Sequence, residues 1–103
     1  MVGIYFDVGN VVRWGWPEHW LEVIGKRAKK LDIKEYDLQI AMKEGMRAGF
    51  AKPLGEGSIE WSKVREQLGR IDFRGWATAE VKGGDEERLA EIASQMNTVL
   101  DLA

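Results

Sequence analysis

The chain has 103 residues, of which 45% are hydrophobic, so it suits one small domain over residues 1–103 and leaves no room for a second core. Fifteen basic and seventeen acidic side chains give a formal charge of -2, which argues against a nucleic-acid-binding surface and against attraction to an acidic membrane. The absence of cysteine excludes a disulfide framework and a thiolate metal site. The sequence contains no signal peptide and no membrane-spanning stretch, and we therefore expect a cytoplasmic protein.

Three segments predict β-strands. Residues 2–7 form a nearly continuous apolar run, residues 31–36 alternate apolar and polar, and residues 76–81 are rich in strand formers. Each is followed by a predicted helix: Pro17 suits the first turn of one, Ser58 is expected to cap the second and Asp85 the third. Apolar residues then recur at helical spacing, at 20, 21, 24 and 28, at 61, 64 and 68, and at 89, 92, 93, 96 and 99.

Residues 37–57 form a long connection between the second strand and its helix, with a hint of a short helix at 38–42 that glycines interrupt. The element order is therefore β-α-β-α-β-α without a hairpin, which predicts an α/β fold of three consecutive units with parallel strands. A free three-stranded parallel sheet would leave two edges unpaired and a row of apolar side chains uncovered on one face. We expect a partner to cover them, either copies of this chain or the rest of a barrel.

Carboxylates fall near the C-terminal end of each predicted strand. They are Asp7, Asp32 with Glu35, and Glu80, and parallel α/β folds have their sites at that edge. Neighbouring strands lie about 4.8 Å apart, so several carboxylates can converge where a hard divalent cation would offset their repulsion. The alternative for any one of them, Asp32 above all, is a helix-capping or surface role.

Four segments carry a resemblance to a known family when they are taken in order: residues 5–10 (YFDVGN), 31–36 (LDIKEY), 53–57 (PLGEG) and 75–81 (GWATAEV). They resemble the last strands of xylose-isomerase-like TIM barrels, a group of sugar-phosphate isomerases, ketose 3-epimerases and, more distantly, apurinic endonucleases. The resemblance covers essentially the whole chain and implies that it is the C-terminal part of such a barrel.

The resemblance implies a divalent metal, Mn or Mg, held by a Glu, an Asp, a His and a second Glu. Asp7 matches the aspartate and Glu80 the final glutamate, whereas Asp32 stands at the histidine position. Carboxylate oxygen is still an acceptable ligand for these ions. The first glutamate would lie on a strand before Met1. Asn10 stands where ketose epimerases often have a substrate-contacting histidine.

In the relatives, two glutamates on opposite sides of the sugar remove and return a proton beside the carbonyl, while the metal polarises that carbonyl. Glu80 corresponds to one of this pair. The resemblance therefore implies a sugar or sugar-phosphate isomerase or epimerase whose second base is outside this chain, so the isolated chain would be an incomplete enzyme.

Three further residues are candidates for substrate contact, each with a structural alternative. Lys34 could meet a substrate oxygen or form an internal ion pair with the acids. Glu56 lies between glycines that allow a close approach, although turn formation explains them equally well. Trp16 could stack on a sugar face or pack against a loop.

Two other functions compete with the isomerase interpretation. One is a non-catalytic oligomerising module, in which the apolar strands and the five tryptophans serve assembly. The other is an apurinic endonuclease fragment, which needs several metal-binding histidines and a basic groove. The chain has one histidine and a net negative charge, and this argues against nucleic acid as a partner.

Overall fold

A computed structural model describes residues 3–101. Three strands form one parallel sheet with β2 in the middle, and helices alternate with them, which confirms the predicted α/β class. The strands are β1 (Ile4–Asp7), β2 (Ala28–Ile33) and β3 (Trp76–Ala79). The helices are α1 (Pro17–Ile24), α2 (Leu38–Glu44), α3 (Trp61–Arg70) and α4 (Glu86–Leu100), with 3-10 turns at Asn10–Arg13, Gly25–Arg27 and Met46–Ala51.

One face of the sheet is packed against helices. Side chains alternate along a strand, so Phe6 of β1 shares this face with Leu31 and Ile33 of β2. All three are buried in a single core, to which the helices contribute residues such as Leu21 of α1 and Val64 of α3. Burial of this continuous apolar surface is the main force that holds the three units together.

The opposite face is open among residues 3–101, and its composition differs from the prediction. Tyr5 and Trp76 lie on it with 74% and 81% of their surface exposed. Between them Lys30 of β2 places its ammonium 5.6 Å from the centroid of the Tyr5 ring and 3.4 Å from Asp32 Oδ1. The prediction of a row of apolar side chains on this face is therefore wrong, because charged residues separate the two aromatic rings.

β2 begins and ends three residues earlier than the sequence predicted. Helix α1 stops at Ile24 because Gly25 follows it with φ +58°, a conformation that favours glycine. Ala28, expected on the helix, therefore opens the strand. At the other end Tyr36 leaves the sheet, and its hydroxyl donates to the Met46 carbonyl at 2.9 Å.

The other strand ends are close to their predicted places. β3 opens at Trp76 as expected but ends at Ala79 rather than Val81, although the Glu80 N–H still donates to the Ile33 carbonyl at 2.9 Å. In β1 the predicted first residue, Val2, lies outside the described residues.

Ser58 was expected to cap α3, and this prediction is wrong. Its Oγ instead accepts from the N–H of Leu38 at 2.7 Å, at the start of α2. The short helix hinted at by the sequence is thus held at its N-terminus by a residue from the far end of the long connection. Asp37 adds a second bond there, from the N–H of Ile40 to Oδ1 at 3.0 Å.

Asp85 caps α4 as predicted, because its Oδ1 accepts from the N–H of Arg88 at 2.9 Å. With 15 residues, α4 is the longest helix between residues 3 and 101. Over that same range, no helix has both the length and the apolar character needed to cross a bilayer.

Candidate functional site

Three carboxylates meet at the C-terminal edge of the sheet. Asp7 is the last residue of β1, Asp32 lies opposite it in β2, and Glu80 follows β3. One oxygen from each lies within 4.8 Å of the other two. The strands are parallel and in register, so the ends that carry these residues lie side by side, as the sequence pattern predicted. Asp7 and Asp32 are partly buried and Glu80 is more exposed.

The Asp7 side chain is fixed by the loop that follows it. Its Oδ1 accepts from the N–H of Gly9 at 3.1 Å and from the N–H of Asn10 at 2.9 Å. These bonds close the turn into the first 3-10 segment and leave Oδ2 for the carboxylate cluster. The backbone of Asn10 therefore orients a site residue, while a role of its side chain in substrate binding stays a prediction.

Two lysines neutralise much of the cluster. The ammonium of Lys34 lies 3.4 Å from Asp7 Oδ2 and 3.4 Å from Glu80 Oε2, and Lys30 pairs with Asp32. The internal ion pair, one of the two alternatives for Lys34, is thus present in the structure. Three negative charges and two positive charges share this edge of the sheet.

The donor set fits a small divalent cation. Carboxylate oxygens are the ligands that Mg²⁺ and Mn²⁺ prefer, and three adjacent strands supply them here. Neighbouring oxygens around an octahedral Mg²⁺ are about 3 Å apart because each lies about 2.1 Å from the ion. The three carboxylate oxygens, which lie within 4.8 Å of one another, would therefore have to move closer together to bind one ion.

An open cavity of about 550 Å³ lies beside the cluster. Lys34 and Glu80 form part of its wall, to which the long connection, the end of β3 and α4 also contribute. This volume is within the usual range for small-molecule sites. Most of the other lining residues are apolar or basic. They are Glu35, Phe50, Ala51, Lys52, Pro53, Leu54, Ala79, Val81, Lys82, Arg88 and Gln95.

Trp16 and Glu56 are not among the residues that line this cavity. The Trp16 carbonyl accepts from the N–H groups of His19 and Trp20, so the residue serves as the start of α1. Glu56 is exposed in a turn in which its N–H donates to the Pro53 carbonyl at 3.1 Å. Their roles in substrate binding stay predictions, and Lys34 is the candidate for substrate contact that borders the cavity.

Glu35, predicted as a strand-end acid without a role, has a central position in the structure. The side chain is 2% exposed. Its Oε1 accepts from the N–H of Gly57 at 2.9 Å, and its Oε2 accepts from Trp61 Nε1 at 2.9 Å. Glu35 therefore ties the end of β2 to the Gly-Glu-Gly turn and to α3.

Burial raises the pKa of Glu35 from 4.5 to about 7, although the bonds from Trp61 and Gly57 oppose the shift. An acid with this pKa in the wall of a cavity is a candidate for proton transfer. Its sequence signal was its place near the C-terminal end of a strand, as for the other site acids. That signal was hidden because the strand was predicted to continue through Tyr36.

The comparison with known protein families agrees with the fold. The model of the xylose isomerase-like TIM barrel family matches residues 1–101. Searches of curated proteins and of solved structures gave no significant match. The match spans nearly the whole chain, and the parallel strands alternating with helices are those of a partial TIM barrel. The chain therefore belongs to the xylose isomerase-like TIM barrel family.

Proposed function

We propose that the chain carries the C-terminal part of a metal-dependent isomerase or epimerase site for a sugar or sugar phosphate. The observation that carries this proposal is the meeting of Asp7, Asp32 and Glu80 beside a cavity of about 550 Å³. Family membership supports the same reaction class. Lys52, Lys82 and Arg88 on the cavity wall would favour a substrate that carries a phosphate.

In this proposal Asp7, Asp32 and Glu80 hold Mg²⁺ or Mn²⁺. The bound cation would polarise the substrate carbonyl and make the neighbouring C–H group more acidic. Glu80 borders the cavity, and one of its oxygens takes the proton from that carbon on one side of the sugar. Asp7 keeps its orientation through its bonds to the following turn. A second acid, on a strand that would precede β1, returns a proton from the opposite side of the sugar.

Titration with MnCl₂ in a calorimeter tests the metal site. We expect the wild-type chain to bind Mn²⁺ and the double variant Asp7→Asn/Glu80→Gln to bind it at least tenfold more weakly, because two anionic ligands become neutral. Asn at position 7 can still accept the two backbone bonds, so the fold is kept.

The matched control is Glu86→Gln/Glu87→Gln, which removes the same charge from exposed positions on α4. We expect it to bind like the wild type. Equal affinity in all three proteins, or no binding by the wild type, would contradict the metal site.

A second candidate function, a non-catalytic oligomerising module, rests on a different observation. Tyr5 and Trp76 are largely exposed on the open sheet face, and β1 and β3 are edge strands among the described residues. Exposed aromatic rings and free strand edges both favour association. In this proposal copies of the chain, or further strand-helix units, cover that face.

Light scattering tests association through this face. We expect the wild-type chain to have a mass above that of a monomer, and Tyr5→Ser/Trp76→Ser to shift it towards the monomer. Trp14→Ser/Trp16→Ser, which changes exposed rings outside the strands, serves as control and should leave the mass unchanged. A monomeric wild type with cooperative unfolding would rule out the association.

A further inference from the structure

We propose that Lys34 is the resident counter-ion of the carboxylate cluster and that a divalent cation binds there only by displacing its ammonium. This inference rests on the metal site of the proposed function and adds the way in which that site is controlled. Loading of the metal would turn Lys34 away from the acids and towards the adjoining cavity, where the substrate is proposed to bind.

The ammonium of Lys34 lies within the carboxylate cluster. It lies 3.4 Å from Asp7 Oδ2 and 3.4 Å from Glu80 Oε2, between the carboxylates of the two outer strands. A cation bound at about 2.1 Å from either oxygen would be no more than about 5.5 Å from this nitrogen. At that distance the two positive charges repel each other strongly in a partly buried site. The present position of Lys34 and a bound divalent ion are therefore in competition.

Lys34 is held in place by more than its ion pairs. Its side chain is only 17% exposed, and the ammonium lies 5.0 Å from the centroid of the Phe50 ring, a favourable cation–π distance. Gly9 leaves room for the lysine stem, since a Cβ at that position would clash with Lys34 Cγ. The loop that contains Gly9 packs closely against this side chain, whereas an ordinary surface lysine has no such neighbour.

A displaced ammonium can move into the adjoining cavity. Lys34 already forms part of the cavity wall, so rotation of its flexible side chain can carry the charge into that space. There it would face the oxygen atoms of a sugar or its phosphate. Binding of the metal would thus free a positive charge for the substrate. Metal binding and substrate binding would therefore be coupled.

The experiment compares Mn²⁺ binding by calorimetry in the wild type and in Lys34→Met, Lys34→Arg and Lys30→Met. We expect Lys34→Met to bind at least tenfold more tightly than the wild type, because the competing charge is gone and a stem of similar length remains. Lys34→Arg keeps the charge and should stay within about threefold of the wild type. Lys30→Met is the matched control, and it should change affinity less than Lys34→Met because Lys30 pairs with Asp32 alone and is more exposed.

A second measurement uses the unaltered chain and does not depend on how the variants fold. In a Mg²⁺ titration followed by NMR, the side-chain signals of Lys34 should shift with the same midpoint as Mg²⁺ binding measured by calorimetry. Lys34 signals that stay constant through saturation with metal would overturn the displacement.

The outcomes separate the inference from the function on which it rests. If Lys34→Met binds Mn²⁺ as the wild type does or more weakly, the competition is overturned while the metal site stands. If only Lys34→Met binds, the competition is supported, and the metal function of the native chain is contradicted. If neither protein binds Mn²⁺, both ideas are overturned.

Discussion

The free energy of unfolding is expected to fall by on the order of 2 to 3 kcal/mol between pH 5 and pH 8, and Glu35 is the expected cause. Its carboxyl is buried between the end of β2 and α3, and burial raises its pKa from 4.5 to about 7. In the unfolded chain the same group has its ordinary pKa.

The direction of the effect follows from where the proton is held. Between about pH 4.5 and pH 7 the folded state keeps a proton on Glu35 that the unfolded state has lost, so each rise in pH favours unfolding. Below this range both states are protonated and the stabilisation is fully present. Above it both are ionised, and the stabilisation has been lost.

Urea unfolding at pH 5 and pH 8 measures this difference, and Glu35→Gln should flatten it because glutamine does not titrate. The variant also loses part of the pairing with Gly57 and Trp61, so the comparison concerns the change with pH and not the stability at one pH. The matched control is Glu56→Gln in the neighbouring exposed turn, which should keep the wild-type slope. If the free energy of unfolding of Glu35→Gln still falls with pH as in the wild type, groups other than Glu35 cause the pH dependence.

The strand order and the convergence of the acids were predictable because they depend on pattern and topology. Three predicted strands separated by helical segments are compatible with few arrangements other than a parallel sheet. Once the strands are parallel, Asp7, Asp32 and Glu80 must lie at one edge. The strand order does not depend on where each strand ends, but the place of Asp32 does: it is the second residue of the predicted strand and the last but one of β2.

The local partners of side chains were not predictable, because they depend on contacts between residues far apart in sequence. Ser58 caps α2, twenty positions away, instead of the helix that follows it. Glu35 lies next to Lys34 in the chain, yet one is paired with α3 and the other with the outer strands. The local sequence contains neither the depth of burial nor the distant donor that decides these roles.

The composition of the open face shows the same limit. Residues 30 and 32 alternate with the buried Leu31 and Ile33, so the phase of β2 was correct. The strand was predicted to begin at Leu31, however, which left Lys30 on the preceding helix. Its place in the strand, beside Tyr5 and Asp32, makes this face a charged surface flanked by aromatic rings.

Leu21→Ala is expected to lower the free energy of unfolding by about 3 kcal/mol, a large part of the total stability of a domain of this size. Leu21 on α1 is fully buried, with 0% exposure, in the core shared by the sheet, α1 and α3. Its truncation removes apolar burial and leaves a cavity that the neighbouring strand and helix fill only in part.

Leu89→Ala is the matched control, because it makes the same chemical change on α4 at a side chain that is 58% exposed. We expect it to cost less than about 1 kcal/mol, in proportion to the smaller area that it buries. Urea unfolding of both variants gives the two values. Equal losses would mean that α1 does not cover the sheet as described. The cover of helices on one face would then no longer explain why the carboxylates lie on the other face.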